Sequence, residues 1–248
     1  MRIALIGHGK MGKELEQAAI AQKHEVVMII RSNNATDINR LKLSQADVAI
    51  EFSTPATVVQ NIHKCFDAHI PVVVGTTGWY DQIPEVKEAC EKNGNSLIYA
   101  SNFSIGVNIL FELNRVLAKI MNHQPAYEVS IEEIHHTQKM DSPSGTAITL
   151  AKDIIEHIDG KKSWVDLDPD GADESRFRAG DLKINSMRMG DIVGTHIIKY
   201  VSEIDQLELR HEAHSRAGFV QGALVAASWI AGKKGFYTMQ DLLHPGSK

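Results

Sequence analysis

The stretch "IALIGHGKMGKEL", residues 3–15, decides the architecture. Its apolar run from Ile3 to Ile6 reads as a strand buried on both faces. Gly7, Gly9 and Gly12 follow at once, and "KELEQAAIAQ" (13–22) has helical spacing with Leu15, Ala18 and Ala19 on one side. Strand, glycine loop and helix in this order bring a phosphate-bearing ligand to the free N–H groups of a helix start. A lone G-x-G-x-x-G is weak evidence, because glycines are common in turns, so its flanks and its sequel carry the weight. Gly7 permits the tight turn, Gly9 the close approach of a pyrophosphate, and Gly12 the packing of helix on strand.

The sequel supports it. "EVVMII" (25–30), "DVAIEF" (47–52), "PVVVG" (71–75) and "SLIYA" (96–100) are short apolar runs, each followed by turn residues or a helical pattern. This rhythm predicts an α/β fold with a Rossmann-type parallel sheet and crossover helices. In "STPATVVQNIHKCFDAH" (53–69), Thr54 is expected to cap a helix and Pro55 to occupy its first turn. At the end of the second run stand Ile30, Arg31 and Ser32, with no carboxylate for the ribose hydroxyls. The planar guanidinium of Arg31 suits a 2′-phosphate, which favours NADPH over NADH. "GTTG" (75–78) and "SNFS" (101–104) lie beyond the carboxyl ends of later strands, where ligands of open parallel sheets bind.

From about residue 105 the pattern changes. "IGVNILFELNRVLAKIM" (105–121) predicts a helix with Ile109, Leu113, Val116 and Ile120 on one apolar stripe. "AYEVSIEEIHH" (126–136) alternates like a strand with Val129 and Ile131 on one face, and "TAITLAKDIIEHI" (146–158) is helical. Residues 160 to 182 are polar and rich in Gly, Asp and Lys, which predicts a mobile loop. "KINSMRMG" (183–190), "VGTHIIKYV" (193–201) and "QLELRHEAHS" (206–215) read as antiparallel strands joined by tight turns. The last helix, "FVQGALVAASWIAG" (219–232), is apolar on much of its circumference and is expected to return to the first domain. Two domains follow from the pattern: residues 1–104 with the returning 216–248, and an α+β unit, 105–215.

Composition excludes several classes. The 248 residues are 43% hydrophobic and 23% charged, with a formal charge of −5, so nothing points to nucleic acid. The longest apolar runs, such as "VVMII" (26–30), are too short to span a bilayer. Cys65 and Cys90 form no C-x-x-C pair, so no disulfide or metal framework is expected, and a reducing, cytoplasmic compartment fits. The strand pattern in the first residues leads us to expect no signal peptide.

The chemistry concentrates in "EEIHHTQKMDSPSGTA", residues 132–147. Ser144 is a plausible N-cap, with Gly145 and Thr146 in the first turn, and the exposed N–H groups there suit a carboxylate. His135, His136 and Lys139 add positive charge just upstream, and Asp141 can orient one of these cations. A hydride adds electrons to a carbon, so a proton must follow, and a lysine crowded by cations gives its proton up more readily. A solvated loop before a helix is the competing reading. Metal binding is the weaker one, because the segment lacks a third well-spaced ligand.

The pattern E-x-H-H-x-x-K-x-D-x-P-S-G-T-A resembles the signature of the 4-hydroxy-tetrahydrodipicolinate reductase family, also called dihydrodipicolinate reductases. The likeness extends to the glycine loop, "GTTGW", "SNFSIGVN", "GDIVGTH", "HEAHSRAGF" and "GFYTMQDLL". The resemblance implies a Rossmann cofactor domain, a substrate domain with an open mixed sheet, and a homotetramer assembled through those sheets. It implies reduction of a cyclic dicarboxylate by NADH or NADPH, on the diaminopimelate route to lysine. By motif position His135 matches a catalytic proton donor or acceptor, Lys139 a second proton donor, His136 a substrate-binding histidine, and Gly145 and Thr146 a carboxylate clamp. Cofactor contacts are matched by Gly7, His8, Gly9, Lys10, Met11, Gly12, Arg31, Gly75, Thr76, Thr77, Ser101, Asn102, Phe103 and Ser104. The chain departs from the family in its shorter GHGKMG loop, in the short segment 31–47, and in Ile30 where some members carry an acid. Two other readings share part of the pattern: a related dehydrogenase acting on a small amino acid or oxo acid, which gives no reason for HHxxKxDxPSGT, and a non-catalytic NADP sensor, which has no use for His135 and Lys139.

Overall fold

The computed structural model describes residues 1–167 and 178–246, the side chains of 35–37 excepted. The chain divides into two compact units, Met1–Ile105 with Ala217–Lys248, and Gly106–Arg216. The short helix α2 spans Arg40–Leu43.

The first unit is built on β1 (Arg2–Ile6), β2 (Glu25–Ile30), β3 (Val48–Glu51), β4 (Val72–Val74), β5 (Ser96–Tyr99) and β11 (Gly235–Thr238). Every neighbouring pair is parallel, in the order β11-β5-β4-β3-β1-β2. Alternation along each strand divides the core in two. Ala4, Ile6, Ala49, Val72, Val74 and Leu97 face α3 (Val58–Asp67) and α4 (Ile83–Lys92), whose Ile62, Cys65, Val86 and Cys90 complete that layer. Ile3, Leu5, Val48, Ile50, Val73 and Ile98 face α1 (Lys10–Ala21) and α7 (Ala217–Ile230) through Leu15, Ala19, Ala223, Leu224 and Ile230. Burial on both faces is why the strands read as unbroken apolar runs. Each buried Ile, Leu or Val among them contributes about 1.5–3 kcal/mol. Gly222 lets α7 approach closely, since a Cβ there would lie 1.7 Å from the Phe103 carbonyl oxygen.

Both cysteines are buried core thiols, and burial pushes Cys90 up to about 11. The start of α3 differs from expectation. Thr54 does not cap it; its carbonyl accepts the N–H groups of Thr57 (3.1 Å) and Val58 (3.0 Å), and the helix begins at Val58. Pro55 therefore lies in a turn before the helix rather than in its first turn. Strand β11 was not anticipated from sequence. It pairs with β5 from Gly235↔Ser96 to Thr238↔Tyr99 and precedes the short α8 (Met239–Leu243).

In the second unit, β6 (Glu128–His135), β7 (Ser163–Leu167), β8 (Asp181–Arg188), β9 (Gly194–Val201) and β10 (Gln206–Ala213) form a mixed sheet ordered β10-β9-β6-β8-β7. Its core joins Val129, Ile131, Ile184 and Ile198 to α5 (Ile105–Met121) and α6 (Gly145–His157). Three expectations need correction. β8 does not pair with β9: β6 lies between them, parallel to β8 and antiparallel to β9. Ser163–Leu167, expected as mobile loop, is strand β7, while 168–177 lies outside the described residues. The α5 stripe has the right period and the wrong phase. Val107, Leu110, Phe111, Ala118 and Met121 are buried, whereas Ile109, Leu113, Val116 and Ile120 are 44–56% exposed. The helix has two apolar sides, and the side with Phe111 and Ala118 also carries buried Asn114, which donates to the Leu150 carbonyl at 3.1 Å.

Candidate active site

Glu133 and His135 are two apart on β6, so both point to its buried face, in line with Val129 and Ile131. The Glu133 carboxylate bonds Nδ1 of His135 through one oxygen. Its other oxygen accepts from the Ser144 backbone N–H (3.2 Å) and the Arg188 guanidinium (3.0 Å). Burial raises the Glu133 pKa, but the bonds and charges of His135 and Arg188 outweigh it and hold the group down at about 2. Glu133 is thus a fixed anion that turns His135, leaving Nε2 as the nitrogen open to chemistry. Gly194 keeps that nitrogen uncovered, because a Cβ there would stand 2.9 Å from Nε2.

Ser144 caps α6, its Oγ accepting from Ala147 N at 3.2 Å. His196 on β9 approaches the same hydroxyl through Nε2 at 3.0 Å and stands edge-on to His135, centroids 5.1 Å apart. Burial, and then the neighbouring His135, lower His196 to about 3, so it is neutral at working pH. Gly145 and Thr146 form the first turn of α6, whose N–H groups have no intrahelical acceptor, and Gly145 is exposed. Lys139 pairs with Asp141 at 2.6 Å, whose carboxyl is held below its ordinary range chiefly by that bond. Asp141 does orient one of the cations. His136 is half-buried, and its side chain has no hydrogen bond among the described residues.

The segment from Ser142 to Ser144 is pinned from below. Asp166 on β7 accepts from Ser142 Oγ and Ser186 Oγ, both at 2.6 Å. The structure thus links His135 to Ser144 through Glu133 and sets Lys139 against Asp141, whereas Glu133, Arg188, Gly194 and His196 were not singled out from the sequence. For Glu133 the signal was present: period-two alternation puts it beside His135. Arg188, Gly194 and His196 come from other strands, and only the sheet order brings them here. Glu133, His135 and His196 each offer a ligand atom, all within 4.8 Å of one another, so the third well-spaced ligand that 132–147 lacks comes from β9. Glu133 and His135 are already bonded to each other, and His196 to Ser144 Oγ.

In the first unit the sheet order reverses at β1, so the crevice beyond β1 and β3 is where a ligand of such a sheet binds. Gly7 turns there with φ +96°, and its N–H donates to Ile30 O at 3.0 Å. A Cβ on Gly7 would lie 2.0 Å from Phe52 O, and one on Gly12 would lie 2.2 Å from Gly7 O. Gly9 has nothing within 4 Å of the same position and serves as the N-cap of α1, with no side chain covering the helix start. An open glycine before uncapped N–H groups fits a dinucleotide pyrophosphate. Lys10 and Met11 open the helix, Lys10 exposed. Thr77 and Ser101 are exposed at the carboxyl ends of β4 and β5, while Asn102 turns inward to accept from Ser104 N at 2.8 Å. Phe103 belongs to the core, packed against Phe52.

Sequence reading also missed Glu51, the last residue of β3, which is fully buried. Its carboxyl bonds Ser53 Oγ, Asn61 Nδ2 (3.1 Å) and Thr76 Oγ1 (2.6 Å), and Thr76 Oγ1 accepts from Ser53 N (2.8 Å). One carboxyl thus ties the loop after β3 to Gly75-Thr76 after β4. Burial raises its pKa, only partly offset by the bonds from Ser53, Thr76 and Asn61. A raised folded-state pKa favours folding at low pH and loses that advantage as pH rises through it. Glu51→Gln, which cannot ionise, is expected to gain thermal stability relative to the parent as pH rises. A Tm difference that stays constant from acid to alkaline pH would contradict this.

Fold and site place the molecule among oxidoreductases that hold a nicotinamide nucleotide on a Rossmann-type sheet. The family model described as dihydrodipicolinate reductase, N-terminus, matches residues 1–103, and that described as dihydrodipicolinate reductase, C-terminus, matches 106–243. A 4-hydroxy-tetrahydrodipicolinate reductase from Christiangramia forsetii is 45% identical, covering 98% of both chains. One from Methanococcoides burtonii is 35% identical over 94% of this chain and 85% of its own. Among solved structures, a dipicolinate-bound dihydrodipicolinate reductase from a Paenisporosarcina species superposes with TM-score 0.77 at 23% identity, covering 98% of this chain and 99% of its own. The chain belongs to the dihydrodipicolinate reductase family. No helix among the described residues is long and apolar enough to cross a membrane.

Proposed function

We propose that this protein reduces 4-hydroxy-tetrahydrodipicolinate, by way of dihydrodipicolinate, to tetrahydrodipicolinate with NAD(P)H, on the diaminopimelate route to lysine. The observation that carries the reading is the Glu133 carboxylate shared between His135 Nδ1 and the Ser144 N–H. It fixes a proton-handling imidazole beside the helix start that presents free N–H groups to an anion. The nicotinamide, when bound, supplies the hydride. His135, through Nε2, and Lys139, through Nζ, supply the proton that the reduced carbon skeleton needs. Gly145 and Thr146 hold a substrate carboxylate, and His136 contacts the substrate. Gly7 to Gly12, Gly75 to Thr77 and Ser101 to Ser104 receive the cofactor. The first unit is accordingly the dinucleotide domain and the second the substrate and oligomerisation domain of a homotetramer. Arg31 at the end of β2 makes NADPH the preferred nucleotide.

The test is an assay with freshly generated substrate that follows oxidation of NADPH and of NADH separately, beside the solution mass by ultracentrifugation. Oxidation of both, faster per unit concentration with NADPH, and a fourfold protomer mass are expected. No oxidation of either nucleotide would overturn the enzyme reading.

A further inference from the structure

We infer that His8 and Glu16 set the preference for a 2′-phosphorylated nucleotide by holding the Arg31 guanidinium ready, an inference that rests on Arg31 meeting that phosphate. Three observations carry it. Arg31 Nε donates to His8 Nδ1 at 3.3 Å, and His8 Nε2 lies 2.7 Å from Glu16 Oε2. The Arg31 backbone N–H donates to Asn34 Oδ1 at 2.5 Å, while Asn34 Nδ2 donates to Ile29 O at 3.1 Å. The terminal nitrogens of Arg31 have no partner among the described residues, and the residue is exposed.

The bonding order follows from the donors. Guanidinium nitrogens only donate, so His8 Nδ1 must be the unprotonated nitrogen and Nε2 must carry the proton. That proton goes to Glu16, which stands on the second turn of α1. Glu16 thus fixes the tautomer of His8, and His8 fixes the guanidinium plane from its Nε side. The two terminal nitrogens are left as a planar fork of the kind that takes two phosphate oxygens. His8 side-chain exposure is only 10%, so the imidazole is a packed strut, while Arg31 remains open to a ligand. Because the same loop turns at Gly7, whose N–H binds Ile30 O, phosphate sites at the helix start and at the strand end are held in one register.

The energetic content is pre-organisation. Ordering a free arginine on binding costs about 0.5–1.5 kcal/mol, equivalent to about two- to tenfold in affinity, and His8 removes that cost in advance. It does so chiefly for NADPH, since NADH offers a single neutral hydroxyl where NADPH offers the phosphate oxygens that the fork takes in pairs.

The test measures dissociation constants of NADPH and NADH, by quenching of protein fluorescence, for the parent, Arg31→Ala, His8→Ala, His8→Asn and His8→Gln. Arg31→Ala should weaken NADPH by about tenfold or more with NADH little changed. His8→Ala should weaken NADPH about two- to tenfold, again with NADH unchanged. Asparagine places its oxygen near the position of Nδ1 and should restore most of the loss; glutamine reaches toward Glu16 and should not. If Arg31→Ala weakens both nucleotides equally, the NADPH reading itself fails. If Arg31→Ala is selective but His8→Ala leaves the NADPH:NADH ratio at the parental value, His8 is no determinant and this inference alone is overturned. Equal loss of both nucleotides in His8→Ala, unrestored by asparagine, marks a merely structural loop residue and overturns it too.

Discussion

Lys139→Ala is expected to lower kcat by about 10²–10⁴-fold, the usual worth of a general acid. Lys139 Nζ contacts Asp141 Oδ2 in a pair whose carboxylate is 64% exposed, so its removal costs little stability. Cofactor affinity should change little, since Lys139 belongs to the other unit from the glycine loop. An interaction made only in the transition state lowers kcat and kcat/KM together, which steady-state kinetics can separate from a binding defect. Parental turnover in Lys139→Ala would remove it from the mechanism. His135→Ala is a less clean test. It also strips the Glu133 carboxylate of a buried partner, so lost activity and lost stability arrive together.

The second large effect is acid lability with two steps. His196 has a folded-state pKa of about 3 against an ordinary 6.5, because its burial disfavours the cation. Its contribution to stability is complete above pH 6.5 and is lost as pH falls from there toward about 3. Glu133, held at about 2 against an ordinary 4.5, loses its contribution between those values. Stability should therefore decline below pH 6.5 and more steeply below 4.5. At about 1.4 kcal/mol per pH unit, the His196 share by about pH 4 is of the order of 3 kcal/mol. His196→Gln keeps a group for the Ser144 hydroxyl but does not titrate, so its Tm should fall less between pH 6.5 and about 4. Parallel Tm profiles for parent and variant, by calorimetry, would refute the assignment.

Much of the fold was legible in the sequence because the parallel strands are buried on both faces and bounded by turns. The glycine loop, β1 to β5 and the Ser144 cap could be read from local chemistry alone. What could not be read depends on choices that local pattern leaves open. α5 has two apolar sides, and selection of the Phe111 side depends on what the sheet offers. β8 and β9 look like a hairpin, yet β6 lies between them, a fact of sheet order rather than of turn sequence. The same holds at the site: Glu133 was readable from period two, whereas Arg188, Gly194 and His196 reach His135 only through that order. Glu51 was hidden inside an apolar strand whose last residue happens to carry a buried carboxyl.

The return of α7 to the first sheet has a consequence for how the chain leaves the ribosome. Ile3, Leu5, Val48, Ile50, Val73 and Ile98 are synthesised early, but the helix that covers them begins at Ala217. Until then one face of the nascent sheet is covered only by α1 and its remainder is bare apolar surface, the condition under which partly made chains associate. The second unit, by contrast, is contiguous from Gly106 to Arg216 and is complete before that helix emerges. The middle unit is therefore completed first and the outer unit last, and a chain ending before Ala217 lacks the helix that covers this face.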